Sequence, residues 1–300
     1  MRSSSERAGA GGRRGTAATR IGSGTTIVIT GGGSGIGRLV ALGAARKGAH
    51  VVIWDRDAAA ARSVSQEVAE QGGRGTVVQV DLADADAIEL AAAETLMLGP
   101  VDVLINNAGV VSGRPLTELS PAQIDLTMRV NAIAPILVTR ALLPAMRDAG
   151  RGRIVTVASA AGFIGVAGQT DYAASKFAAV GFMESLRAEL RKQGSPITAL
   201  TVAPFYIDTG MFDGVTTKVP ALLPILSQAR VATQILGAIE SRRSLLALPP
   251  PVRLVPAIKV LPSALADRLA DALGVNEGMD GFTGRQPAPA AAPVEDGSAR

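Results

Sequence analysis

Three hundred residues with 47% hydrophobic and 19% charged side chains can bury a sizeable core, which excludes a wholly disordered chain. With no cysteine and one histidine, His50, disulfide frameworks, thiolate nucleophiles and two-histidine metal sites are excluded. The net charge of +4 belongs to residues 1–24, where Arg2, Arg7, Arg13, Arg14 and Arg20 face only Glu6, so the charge-balanced remainder offers no nucleic-acid surface.

That Gly/Ser/Arg-rich head, 1–24, reads as disordered, and so does the Pro/Ala tail, 286–300. Between them, 25–285 suits one α/β domain. The head carries charge but no apolar stretch, so it does not read as a secretory leader. It has the arginine and serine of a transit peptide without the apolar face. No window approaches the roughly 18 uninterrupted apolar residues of a membrane span.

In chain order, Thr25–Thr30 is a β-branched strand that ends in glycines, followed by a helical pattern over Ile36–Lys47. Then come strand Val51–Trp54, helix Ala58–Gln71, strand Val77–Val80, helix Asp84–Leu98 and strand Val103–Ile105. Ser120 and Pro121 open a helix that runs to Arg147, with bends expected near Pro135 and Pro144. Strand Ile154–Val157, helix Thr170–Lys192, strand Ile197–Val202, helix Ser227–Arg242, strand Leu245–Leu248 and helix Ser263–Leu273 complete the series. Strands apolar throughout, alternating with helices, predict a doubly wound parallel sheet of the Rossmann type.

The glycine turn Thr30–Gly37 (TGGGSGIG) lies between the first strand and the first helix. Gly31, Gly35 and Gly37, with Ser34 and Ile36 between them, let the backbone approach a pyrophosphate at a helix N-terminus. The spacing is not G-x-G-x-x-G, so the strand–turn–helix context carries the nucleotide expectation. Asp55 ends the second strand, where a carboxylate accepts from a ribose 2′-OH and repels a 2′-phosphate, which favours NAD. Arg56 beside it keeps NADP as the alternative. Tyr172 and Lys176 stand four apart on one helix face, and an adjacent ammonium stabilises a tyrosinate. Alone, that pair is a weak sign. His50, just before the second strand, reads as a packing or solvent-facing residue.

Taken together, TGGGSGIG, Asn106–Gly109 (NNAG), Ser159 and Tyr172–Lys176 (YAASK) resemble the short-chain dehydrogenase/reductase family over about 25–285. The resemblance implies seven strands and a catalytic set of Asn131, Ser159, Tyr172 and Lys176. Tyr172 would be the acid–base, with Lys176 lowering its pKa and holding the nicotinamide ribose. Ser159 would bond the reacting oxygen, and Asn131 would position a relay water. Asp81 and Leu82 would contact the adenine, Asn107 and Gly109 the adenosine side, and Thr209 the carboxamide. Pro204-Phe205 stands where the family usually has Pro-Gly, so a bulky ring there would reshape the pocket.

Phe205, Tyr206 and Phe212 concentrate the scarce aromatics in a substrate loop, 205–226, with Phe163 as a further candidate. Ile207, Met211, Val215 and Leu222 would complete an apolar wall. IDTGMFDG, TKVPALLPIL and GMDGFTGR are similar to the retinol dehydrogenases and type 11-like 17-beta-hydroxysteroid dehydrogenases within the family. An apolar, lipid-like alcohol/carbonyl pair is therefore the expected substrate. An NADPH-linked carbonyl reductase and a non-catalytic nucleotide-binding protein are the alternatives. The apolar extension 249–274, interrupted by Arg253, Lys259 and Arg268, reads as a segment packed beside the substrate loop, with peripheral membrane contact as the other reading. The resemblance implies a homo-oligomer, dimer or tetramer, through the helices at Pro121–Arg147 and Thr170–Lys192, with Phe177 and Phe182 in the interface. The alanine- and arginine-rich composition fits a cytoplasmic bacterial enzyme.

Overall fold

A computed structural model describes residues 19–284. The expected disorder of residues 1–18 and 286–300 lies outside them. The ordered chain starts before the expected boundary at residue 25: Ile21 is buried in the core, and its N–H donates to Glu240 Oε1 at 3.1 Å.

Seven strands form one parallel sheet in the order β3-β2-β1-β4-β5-β6-β7. They are β1 (Thr26–Thr30), β2 (His50–Asp55), β3 (Arg74–Gln79), β4 (Val103–Asn106), β5 (Arg153–Val157), β6 (Thr198–Pro204) and β7 (Leu245–Leu248). The helices are α1 (Gly35–Arg46), α2 (Ala58–Glu70), α3 (Ala85–Met97), α4 (Pro121–Met128), α5 (Ala134–Asp148), α6 (Thr170–Lys192), α7 (Gln228–Ile239), α8 (Val255–Ile258) and α9 (Ser263–Ala272).

Strand side chains alternate between two cores, which is why the strands are apolar at every position. Ile27, Ile29, Val51, Ile53, Val103 and Ile105 pack with α1, α2 and α7 on one face. Val28, Val52, Trp54, Leu104 and Ile154 pack with α3, α5 and α6 on the other. Trp54 stays buried because its indole N–H donates to Thr95 Oγ1 at 2.9 Å. His50 is packed, its Nε2 2.8 Å from Thr76 Oγ1.

The expected single helix over 121–147 is two helices joined by a π-helical turn, Arg129–Ile133. Pro135 has no N–H to return to the Asn131 carbonyl, so the α-helical ladder breaks one turn ahead of it. Pro144 lies inside α5. The stretch Pro121–Asp148 is long and apolar enough by composition to cross a membrane, and half of its most apolar 18 residues are buried in the fold. The strand order reverses at β1, with β2 on one side and β4 on the other, so a crevice opens beyond their carboxyl ends.

Candidate active site

The glycine turn leads from β1 across that crevice. Gly31 and Gly35 hold φ of +64° and +54°, a region that side chains avoid. A Cβ on Gly31 would sit 2.9 Å from the Ala108 Cα, so the turn and the end of β4 approach as only glycine allows. Gly37 does not line the cavity. A Cβ there would fall 2.2 Å from the Gly31 carbonyl oxygen, so its role is to let α1 close onto the turn. Ser34 stands at the N-cap of α1 without using its side chain as a cap. The first helical N–H groups are therefore left for a ligand.

Asp55 Oδ2 accepts from Gly33 N at 2.9 Å and Oδ1 from Asp57 N at 3.0 Å. Asn107 ties β4 to the turn, its amide donating to Thr30 O at 3.0 Å and Gly31 O at 3.2 Å. Gly31, Ser34, Gly35, Ile36, Asp55, Asp81, Leu82, Asn107, Gly109 and Thr209 all line one cavity of about 700 Å³. Bare helix N–H groups at one point and a carboxylate beyond them fit a pyrophosphate and its ribose. The cradle accepts a dinucleotide.

Ser159, Tyr172 and Lys176 line the middle of the same cavity, all buried. Ser159 follows β5, and the other two lie in the first turns of α6. Lys176 Nζ donates to the Val157 carbonyl at 3.0 Å and lies 5.5 Å from the Tyr172 ring centroid. Burial pushes Lys176 down to about 8. The expected lowering of Tyr172 does not appear in the protein alone. Burial raises its pKa above the usual phenol value, opposed by the hydrogen bond from Ser159, and neighbouring Tyr206 adds to the rise. In the protein alone the phenol is thus held neutral.

Asn131 has its side chain fully engaged within the protein. Its side chain does not reach the cavity: Nδ2 donates to Val110 O at 2.8 Å and Ser175 Oγ at 3.0 Å, and Oδ1 accepts from Val110 N at 2.8 Å. It clamps the segment after β4 to α6.

The far half of the cavity is apolar. Phe205, Tyr206, Ile207, Met211, Phe212 and Leu222 line it as expected. Phe163 does not: it turns inward among Ala158, Ala179, Val180 and Ala203, and Ile164 and Val166 take its place on the wall. Val215 packs behind the wall with Tyr206 and Met279. The extension closes the other side through Val252, Leu254, Ile258, Leu269 and Leu273. Phe282 was not anticipated. It lines the cavity 6.5 Å from the Phe212 centroid and packs where a Cβ on Gly113 would stand. Gln169, also unanticipated, is buried on this wall with its amide on the Tyr206 hydroxyl at 3.2 Å.

A nucleotide cradle at the switch point of a doubly wound sheet, opening onto a buried serine, tyrosine and lysine, defines a class of nicotinamide-dependent oxidoreductase. Comparison with known proteins narrows the class. The model of the family described as short chain dehydrogenase matches residues 25–220, and the chain belongs to that family. It is accordingly an NAD(P)-dependent oxidoreductase acting on CH–OH groups. The chain is 39% identical over 267 residues to epidermal retinol dehydrogenase 2 of Mus musculus, covering 88% of this chain and 86% of that one. It is 38% identical over 266 residues to retinol dehydrogenase 10-B of Danio rerio, covering 80% and 79%. A metagenomic short-chain oxidoreductase solved with NADP superposes with a TM-score of 0.65 at 34% identity, over 76% of this chain and 97% of that one.

Proposed function

We propose that the chain oxidises the hydroxyl of an apolar, lipid-like alcohol, with NAD as the preferred acceptor and Tyr172 as the acid–base. The observation that carries this reading is the continuity of one cavity from the glycine turn, past Ser159, Tyr172 and Lys176, into an apolar half. The names of the retinol dehydrogenases it resembles support a retinoid-type substrate.

Bound nicotinamide supplies a hydride acceptor and a positive charge beside the phenol. In the oxidation Tyr172, having lost its own proton under the positive charge of the Lys176 ammonium and the bound cofactor, would accept the proton of the substrate hydroxyl. Ser159 would hold the same oxygen, and Lys176 would bond the ribose and carry positive charge below about pH 8. The Asn131 carbonyl, which Pro135 cannot satisfy, is the acceptor for a water that reconnects the site to solvent. The apolar walls exclude other water from the reacting carbon.

The test is formation of reduced nicotinamide with a panel of retinol, a hydroxysteroid and a long-chain secondary alcohol, NAD and NADP in parallel. Turnover with NAD by the intact chain and not by Tyr172→Phe is the expected result. Preference for NADP would favour the carbonyl reductase, a reading supported by Arg56 on the cavity wall beside Asp55. Cofactor binding with no turnover of any alcohol or carbonyl would leave the non-catalytic protein.

The working setting is the cytoplasm, as a homo-oligomer through the outer faces of α4, the π-turn, α5 and α6. Exposed Ile133 and Ile136 serve that face. Phe177 and Phe182 are less suited to it, since Lys259 covers the Phe177 ring at 3.9 Å and Phe182 packs against the core. Peripheral membrane contact is a second reading, favoured by exposed Leu254, Val260, Leu261, Leu265 and Leu269 with Arg253 and Arg268 among them. Equal flotation with and without anionic liposomes would remove it.

A further inference from the structure

Tyr172, Tyr206 and Gln169 share the far part of the cavity wall, and the proposed proton chemistry uses only Tyr172. Gln169 holds the N-cap position of α6, where Ser, Thr, Asp or Asn is favoured because a short side chain satisfies the first helical N–H groups. Its side chain makes no cap. Although it is 99% buried (1% exposed), the amide instead reaches across to Tyr206, whose hydroxyl accepts its N–H at 3.2 Å.

Tyr206 is held firmly. Its carbonyl accepts from Leu226 N at 2.8 Å, pinning the start of the substrate loop to its end. Its ring lies 4.6 Å from Phe205 and 5.3 Å from Phe212 by centroids, and Gly278 backs the hydroxyl, since a Cβ there would be 3.5 Å away. Among the described residues the Tyr206 hydroxyl finds no acceptor for its own proton. Turning the Gln169 amide over does not change the balance: Tyr206 then donates to Oε1, and the freed N–H groups become the spare donors. Either way the buried pair keeps at least one spare donor and one spare acceptor, on a wall that also carries Ile164, Val166, Met211, Phe212 and Phe282. A buried donor without a partner is costly unless a ligand completes it.

The pair sits close to the reaction. Gln169 is less than one helical turn before Tyr172, and the Tyr172 and Tyr206 rings both meet Phe212 edge-on, at 5.8 and 5.3 Å. The two phenols are near enough for Tyr206 to influence the ionisation of Tyr172.

We infer that Gln169 and Tyr206 form a second polar anchor, which binds an oxygen on the substrate adjacent to the carbon being oxidised. Among apolar alcohols of matched chain, a vicinal diol or hydroxy-ketone is then bound more tightly than the simple alcohol. This rests on the oxidoreductase reading above and adds a second oxygen to the substrate it describes. A site built to bond a polar group rejects the analogue that lacks it, because the site's own groups are left unpaired.

The experiment compares a long-chain secondary alcohol with the matching vicinal diol, by calorimetric binding in the presence of NAD and by turnover. The intact chain is expected to bind the diol at least about tenfold more tightly, the worth of one completed buried hydrogen bond. Tyr206→Phe keeps the ring packing and Gln169→Leu keeps the volume, and each is expected to bring the two ligands within about twofold of each other. Equal binding by the intact chain, or an undiminished preference in both variants, would overturn the anchor. Tyr172→Phe, which removes the acid–base, is expected to retain the preference in binding. Absence of turnover with both ligands would count against the oxidoreductase reading for these alcohols, while the binding ratio still judges the anchor.

Discussion

The Asp55 carboxylate accepts the Gly33 N–H at 2.9 Å, so the residue proposed to meet the ribose also holds the glycine turn in shape. One oxygen supports Gly33 and the other Asp57, and each retains a lone pair for a ribose hydroxyl. Charge and shape are therefore partly separable by substitution, since an amide can keep one of the two acceptors but not both. Asp55→Asn keeps an acceptor oxygen but removes the repulsion of a 2′-phosphate. It is expected to narrow the preference for NAD over NADP by about tenfold or more, mainly by improving NADP. Asp55→Ala removes the support of Gly33 as well and is expected to weaken both cofactors. Fluorescence titrations with each reduced cofactor check both outcomes. An unchanged NAD/NADP ratio in Asp55→Asn would remove the carboxylate from cofactor choice.

Tyr172→Phe deletes the proton carrier and keeps the ring that meets Phe212 at 5.8 Å. Turnover is expected to fall by about 10²–10⁴, the usual worth of a positioned acid–base, with NAD affinity within about twofold. Stopped-flow and titration measurements on the same preparation separate the two. A variant with intact turnover would transfer the proton chemistry to another group, and Tyr206 would be the first to examine.

The sheet was legible because every strand residue faces a core: Ile27, Val28 and Ile29 read as one apolar run although they serve both faces of the sheet. That Gly31, Gly35, Asp55, Ser159, Tyr172 and Lys176 line one cavity was legible, because the chemistry expected of them requires those residue types to converge. The Arg129–Ile133 π-turn was not, since Pro135 announces a bend but not the turn that relieves it. Phe163 and Ile164 are adjacent, and only the local backbone decides which of them faces the cavity. Phe282 reaches the site by folding back over the loop, with Thr283 N bonded to the Asp213 carbonyl at 2.9 Å, and no local pattern encodes that return. Gln169 left a faint sign, a long amide where a helix wants a short cap.

Two glycines in helices make a matched pair. At Gly37 an added Cβ would lie 2.2 Å from the Gly31 carbonyl oxygen, a backbone atom that can give way only by moving the turn. Gly37→Ala is expected to cost about 1–3 kcal/mol and to weaken NAD binding, since the displaced turn is the phosphate cradle. At Gly181, exposed in α6, nothing lies within 4 Å. Gly181→Ala is expected to stabilise by about 0.5–1 kcal/mol from helix propensity alone, with NAD binding unchanged. Urea unfolding with and without NAD reads both. Equal stability of the two variants would mean that the contact at Gly37 is relieved without strain.

Lys176 makes stability depend on pH in a direction opposite to that of a paired lysine. Its folded pKa is about 8 because burial disfavours the charged form, whereas the unfolded value stays near 10.5. Below pH 8 both states hold the proton, and the native state bears the full cost of the buried ammonium. Between 8 and 10.5 the native lysine loses its proton while the unfolded chain keeps it, so the unfolded state binds more protons and stability rises with pH. The rise attributable to this group is of order 3 kcal/mol over the window. Tyr172 and Tyr206, with folded values raised by burial, remain protonated throughout and lose stability only above about pH 10. Urea melts stepped from about pH 7 to about pH 10 should therefore show an increase that Lys176→Met flattens. The same substitution should abolish turnover at neutral pH, where the intact ammonium is charged. A stability profile identical in both proteins would show that the lysine is solvated in the native state, and its charge would then be free of the burial that sets it near neutrality.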